Sequence, residues 1–185
     1  MIALPRWPRL VGLLGAECTG KTELARSLAE RLGGLWVPEY LREFVEQNAR
    51  TPRRDEQAMI METQHTRTLA VLTEGRAVGA ALVFADTTPL MTALYSLYVF
   101  GDSSLIERGL ALQAGCAVTL LTAPDIPWQA DGLQRDGPEA RAAVDRLLRR
   151  VLSEHDVRWH EVSGHGAARI EAALAALGTL SDVLD

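Results

Sequence analysis

The stretch Gly15-Ala16-Glu17-Cys18-Thr19-Gly20-Lys21-Thr22 has the spacing G-x-x-x-x-G-K-T, and its flanks decide how it is read. An apolar run, Leu10 to Leu14, precedes it, and a helical pattern of Leu24, Ala25, Leu28, Ala29 and Leu32 follows. A strand that ends in a glycine-rich turn and opens a helix aims successive backbone N–H groups and a helix N-terminus at one point. An ammonium group placed there neutralises the outer phosphates of a nucleotide. Lys21 is the only lysine in the chain, and every other basic side chain except histidine is arginine. A compact ammonium is therefore used at one position, and planar guanidinium groups everywhere else.

At 185 residues, 48% of them hydrophobic, the chain has the size of a single domain, 1–185, with enough apolar mass for a full core. Its net charge of −5 and its scattered arginines form no basic stripe, so a nucleic-acid partner is not expected. The start, Met1 to Gly15, carries arginine and proline inside its apolar run and leads directly into the glycine-rich turn. It reads as a first strand and not as a signal peptide or membrane span. Cys18 and Cys116 form no metal or disulfide pattern, and the four histidines are not spaced as zinc ligands. A cytoplasmic location is expected.

Apolar strand-like runs at Leu10–Leu14, Leu35–Val37, Ala81–Ala85, Ala117–Leu121 and Trp159–Val162 alternate with helical patterns at about 21–33, 40–49, 53–75, 88–99, 103–113, 138–154 and 166–178. That alternation predicts an α/β fold of three layers, a five-stranded parallel sheet with helices on both faces. In such a sheet ligands lie at the carboxyl ends of the strands.

The groups that fall on this edge carry the chemistry. The second strand ends in Val37-Pro38-Glu39-Tyr40, followed by Leu41-Arg42-Glu43. Glu39 reads as a ligand-facing carboxylate, or as a helix N-terminal acid paired with Arg42. The third strand, Ala81 to Asp86, places Asp86 opposite the glycine-rich turn, where a carboxylate holds Mg²⁺; the competing role is a helix N-cap. Thr88, Thr92 and Tyr95 share a helix face. The segment of about 124–141 is rich in proline, glycine and aspartate and carries Trp128, Arg135 and Arg141, so it reads as a lid or a plain surface loop. After the last strand, Ser163 and Gly164 are small enough for a base to lie against the backbone. A guanine-reading Asn/Thr-Lys-x-Asp stretch is ruled out, because the single lysine is already used and Asn48 is the only asparagine.

Taken together, G-x-E-x-x-G-K-T (Gly15–Thr22), V-P-E-Y-x-R-E (Val37–Glu43), F-x-D-T-x-x-x-x-T-x-x-Y (Phe84–Tyr95) and D-I-P-W-x-x-D-G-L (from Asp125, with Arg135 close behind) resemble the ribosylnicotinamide kinase domain of the bacterial NadR family. Serines usually stand where this chain has Cys18 and Thr19, and its lid arginine falls one place late. The resemblance implies a P-loop nucleoside/nucleotide-kinase-like fold and transfer of the γ-phosphoryl group of ATP, with Mg²⁺, to the 5′-hydroxyl of nicotinamide riboside.

On that basis Gly15, Glu17, Cys18, Thr19, Gly20, Lys21 and Thr22 are expected to bind the nucleotide phosphates, and Ser163 and Gly164 its base. A second threonine, at position 23, does not apply to this set: the residue there is Glu23, and no nucleotide contact is expected of it. Thr22 and Asp86 are expected to hold Mg²⁺, and Arg135 and Arg141 to close over the transferred group. Glu39 is the expected proton acceptor or ribose anchor, with Asp86 competing for that role. Arg42, Thr88 and Tyr95 are expected to line the acceptor site, with Tyr40 or Trp128 stacking on the pyridinium ring. The alternatives are a P-loop regulatory module that binds nucleotide without transferring phosphate, and a kinase for another nucleoside or nucleotide.

Overall fold

The computed structural model describes residues 7–129 and 137–178. Its strands β1 (Arg9–Leu14), β2 (Leu35–Val37), β3 (Leu82–Asp86), β4 (Val118–Thr122) and β5 (His160–Val162) form one parallel sheet in the order β2-β3-β1-β4-β5. Parallel neighbours need long crossovers, and helices supply them. These are α1 (Lys21–Leu32), α2 (Tyr40–Asn48), α3 (Gln57–Val78), α4 (Pro89–Phe100), α5 (Ile106–Gln113), α6 (Pro138–Glu154) and α7 (Ala167–Gly178).

The strands are apolar on both sides because both sides are covered. Val11, Leu13, Phe84 and Leu120 pack against Leu24, Leu28, Ala173 and Leu177 of α1 and α7. Their alternates Leu14 and Leu121 face Leu90, Leu94, Leu148 and Leu152 of α4 and α6, and Val83 and Ala85 face Val71 and Leu72 of α3. A side-chain period of two thus feeds two cores from each strand. Three layers result, as the alternation of patterns predicts.

The elements follow the expected boundaries closely, with one informative exception. The helix expected from 53 begins at Gln57, after a 3-10 turn over Arg54–Glu56, and continues to Val78. Glu56 accepts the backbone N–H of Arg53 at 2.8 Å, while Arg50 grips both carboxylate oxygens at 2.7 Å. Arg50 and the Arg53 amide hold the Glu56 carboxyl down at about 2. The turn is tightened by those bonds before the α-helix starts, and Thr51, Pro52 and Arg53 are held as a wall of the cavity described below. Of the segment 124–141, residues 124–129 carry no helix or strand, and Pro138 already belongs to α6. Arg135 lies outside the described residues. Among the described residues no helix is long and apolar enough to cross a membrane.

Sheet order places the site. The chain leaves β1 toward β2 on one side and crosses from β3 to β4 on the other, so the switch lies at the carboxyl end of β1 and its two neighbours. Leu13 is in register with Asp86 on β3 and with Leu120 on β4. The turn that follows β1 therefore faces Asp86 on one side and the segment after Thr122 on the other.

Candidate active site

Gly15 begins the turn at φ 153, and a Cβ there collides with Thr122 Oγ1 and comes within 2.9 Å of Thr19 Oγ1. Only glycine lets the two hydroxyls meet. They hydrogen-bond at 2.7 Å, with Thr19 Oγ1 also donating to Ala16 O at 2.8 Å. Thr19 is buried, and its hydroxyl is consumed inside the turn, so its backbone N–H is what it offers a ligand. Gly15→Ala is expected to destabilise the protein by about 2 kcal/mol or more, which is about 4–8 °C in a domain of this size. Thermal denaturation reads it, and an unchanged midpoint contradicts this packing.

Cys18 (φ 53) and Gly20 (φ 73) adopt the left-handed conformation that folds the turn around its centre. Lys21 Nζ lies in that centre, donating to Gly15 O at 3.0 Å and Ala16 O at 2.8 Å. Burial lowers its pKa from the ordinary 10.5, against the pull of Glu39 and Asp86, with Arg42 adding to the decrease. Thr22 follows in the first turn of α1, half-buried. Position 23 offers no further threonine to a ligand: Glu23 is the acidic residue of that first turn, exposed and outside the cavity, where its charge complements the helix N-terminus. The Cys18 thiol donates to Gln129 O at 2.9 Å and lines the same cavity as Lys21. Alkylating Cys18 is expected to abolish nucleotide binding, with bound ADP protecting the thiol. Cys116 is pushed up to about 12 by burial, so it stays unreactive at about pH 8. Full binding after stoichiometric modification of Cys18 contradicts the arrangement.

Asp86 ends β3 and is fully buried, and neither carboxylate oxygen has a hydrogen-bond partner. A buried carboxylate left without donors is costly, and a cation relieves it. Mg²⁺ fits this donor set, because it binds through one or two protein oxygens and keeps several waters. Thr87, directly after it, is β-branched and yet has φ 76, a conformation rarely held outside functional sites.

Glu39 precedes α2, its side chain 16% exposed, with Arg42 Nε 3.3 Å from Oε2. Its pKa is raised from the ordinary 4.5, first by burial; Lys21 opposes the rise, Asp86 adds to it and Arg42 opposes it. The ion pair expected as one role for Glu39 is present, and Glu39 also lines the cavity described next.

One cavity of about 420 Å³ joins the glycine-rich turn, Lys21 and Glu39, while Thr22 and the fully buried Asp86 are not part of its lining. Gly15, Glu17, Cys18 and Lys21 line it with Glu39 and Arg42, and Ile60, Met91, Thr92, Tyr95, Val99 and Phe100 add a largely apolar wall. Its size suits a nucleoside.

Several expected residues lie elsewhere. Tyr40 is outside the cavity, its ring covered by the Arg67 guanidinium at 4.5 Å. Trp128 is half-buried in the segment after β4 and is not part of the wall. Thr88 turns inward, its hydroxyl donating to Gln113 Oε1 at 2.6 Å. Arg141 is in the first turn of α6 and buried, donating to Ile126 O at 2.9 Å, to Pro124 O and, at 3.5 Å, to Cys18 O. It anchors the base of the expected lid to the turn. Ser163 and Gly164 follow β5, with the Gly164 N–H on Asp125 Oδ2 at 2.6 Å.

Two groups are absent from the sequence reading. Gln57 lines the cavity while its amide nitrogen donates to Pro52 O (3.5 Å) and Arg53 O (3.4 Å). Arg169 is buried among the loops behind the glycine-rich turn. The signal for Arg169 was there: it lies at i, i+4, i+7, i+8 spacing with Ala173, Ala176 and Leu177, on the apolar face of α7.

The fold has known counterparts. A structure of NadR protein in complex with NR superimposes with a TM-score of 0.74 at 21% identity, covering 94% of this chain and 50% of that one. NadR in complex with NAD and AMP-PNP gives 0.71 at 20% identity, covering 93% and 50%. This chain thus spans half the length of those proteins. Thymidylate kinase from Ehrlichia chaffeensis, at 0.65 and 17% identity, is matched over its whole length, 95% and 100%. At these identities the likeness establishes a shared fold. The sequence itself is matched over residues 10–169 by a family model described as an AAA domain, and the chain belongs to that family of P-loop proteins.

Proposed function

We propose that the chain is an ATP-dependent small-molecule kinase that phosphorylates the 5′-hydroxyl of nicotinamide riboside to give nicotinamide mononucleotide. The observation that carries this reading is the shared cavity, in which a phosphate-binding lysine and a carboxylate of raised pKa face one nucleoside-sized space. A hydrolytic switch has no use for a largely apolar wall, whereas a nucleoside acceptor fills it.

In this reading the backbone amides from Gly15 to Gly20 and the Lys21 ammonium hold the β- and γ-phosphates. Thr22 and Asp86 hold Mg²⁺, which neutralises charge on the phosphate oxygens when bound. Glu39 takes the 5′-hydroxyl proton as the oxygen attacks, and Arg42 orients its carboxylate. Tyr95, in place of Tyr40 or Trp128, offers the pyridinium ring an aromatic face. Gln57, its amide nitrogen already engaged, presents Oε1 to the donor hydrogens of the carboxamide. Arg135 closes over the transferred group, Arg141 ties the lid to the turn, and Ser163 and Gly164 border the adenine.

ADP release measured against a panel of nucleosides tests this reading. Release that depends on nicotinamide riboside, with the mononucleotide as product, is the expected result. Equal ATP hydrolysis with and without any riboside, and no phosphorylated product, sinks it.

A further inference from the structure

Arg169 is only 5% exposed, on an otherwise apolar helix face. Burying a guanidinium is unfavourable unless its donors and its charge are met, and a position needed for packing alone is filled more cheaply by leucine or methionine. Here every part of the group is engaged. Nε donates to Gly164 O at 2.8 Å, Nη1 to Thr19 O at 2.6 Å, and Nη2 to Ala123 O at 3.2 Å and to Asp125 Oδ1. The second oxygen of Asp125 accepts the Gly164 N–H at 2.6 Å.

One ion pair therefore fastens together the segments that follow β1, β4 and β5. Neither partner lines the cavity. Across a trans peptide the C=O of one residue and the N–H of the next point in opposite directions. Drawing Thr19 O outward onto Nη1 turns the Gly20 N–H inward, toward the centre of the turn. A cation on the carbonyl also polarises that peptide and strengthens its N–H as a donor.

We infer that Arg169, with Asp125 as its counter-ion, is a positioning residue for the nucleotide phosphates: it sets the peptide plane of the cradle and links that plane to the segment at Gly164. The inference rests on the phosphate-cradle part of the proposed function and not on the identity of the acceptor.

Calorimetric titration of ATP into the whole chain, with and without substitution, tests it. Arg169→Met is expected to raise the Kd for ATP about tenfold or more, the size of effect that losing a charged hydrogen bond produces. Binding stoichiometry counts the folded protein, so a role confined to holding the fold lowers stoichiometry and leaves Kd unchanged. Arg169→Lys keeps the charge and one donor and is expected to recover part of the affinity. Asp125→Asn keeps the Gly164 contact and is expected to weaken ATP binding less than Arg169→Met does. If Arg169→Met does not fold, the lysine and asparagine variants decide. In the kinase assay the KM for ATP is expected to rise while the KM for the acceptor stays within about twofold, because the acceptor touches neither partner.

A Kd within twofold of the unsubstituted chain for the folded variants overturns the inference. If the unsubstituted chain binds no ATP, both this inference and the proposed function fall. If it binds ATP and phosphorylates no riboside, only the proposed function falls.

Discussion

Replacing Glu39 by glutamine is expected to lower kcat about a thousandfold, within the range that removal of a general base produces, while ATP affinity changes by less than about threefold. The amide keeps the shape beside Arg42 and loses the ability to accept a proton. Because burial raises the Glu39 pKa above 4.5, the acid limb of the kcat profile is expected to fall at a pH above that value. It should vanish from whatever activity Glu39→Gln retains. A loss of less than tenfold, or an unchanged acid limb, assigns proton transfer to another group.

The raised pKa also has a sign for stability. Glu39 favours folding fully below its unfolded value of 4.5, and that contribution is lost as pH rises through the folded value. Lys21, shifted down from 10.5, contributes above 10.5 and loses that contribution as pH falls through its folded value. The site thus disfavours the charged form of both groups, and a bound phosphate favours the charged form of Lys21.

Asp86→Asn is the second large effect, and it moves two observables in opposite directions. Phosphoryl transfer is expected to collapse, since the proposed Mg²⁺ ligand is removed. The melting temperature without nucleotide is expected to rise by about 2–8 °C, corresponding to roughly 1–2 kcal/mol. Both oxygens of Asp86 are buried without donors, so neutralising the group removes a desolvation penalty. The change also takes an attractive neighbour from Lys21. That loss is the smaller effect, because Glu39, the strongest of the three acidic influences on the lysine, remains, as does Glu17. A lower melting temperature in Asp86→Asn means that the Asp86–Lys21 attraction outweighs the burial penalty.

The parts of this site that were legible in the sequence are those whose chemistry is local. The strand–turn–helix around Lys21 and the placing of Asp86 at the end of β3 follow from periodicity and a short motif. What escaped depends on which way a side chain turns. Thr88 directly precedes the helix that carries Tyr95, yet Thr88 meets Gln113 in the interior while Tyr95 faces the cavity. Tyr40 is next to Glu39, but Arg67, 27 positions along, takes its ring. The Gly15–Thr122 contact joins strands more than a hundred residues apart, and no local pattern announces it. Arg141 and Arg169 were hard to weigh for a different reason: in a chain with so many arginines, one on a helix reads as a solvated charge until its neighbours are known.

The single lysine makes the protein a reporter of its own ligand. Apart from its terminal amine, the chain has one aliphatic amino group, and in the proposed reading it is the one a nucleotide covers. Burial lowers its pKa, leaving more of it as the free amine that acylating reagents attack. A second added mass on the intact chain, beyond the one on the terminal amine, therefore records an empty cradle, and its absence records a filled one. A lysine-specific protease has a single cleavage point, between Lys21 and Thr22, so the same occupancy can be read as one cut made or withheld.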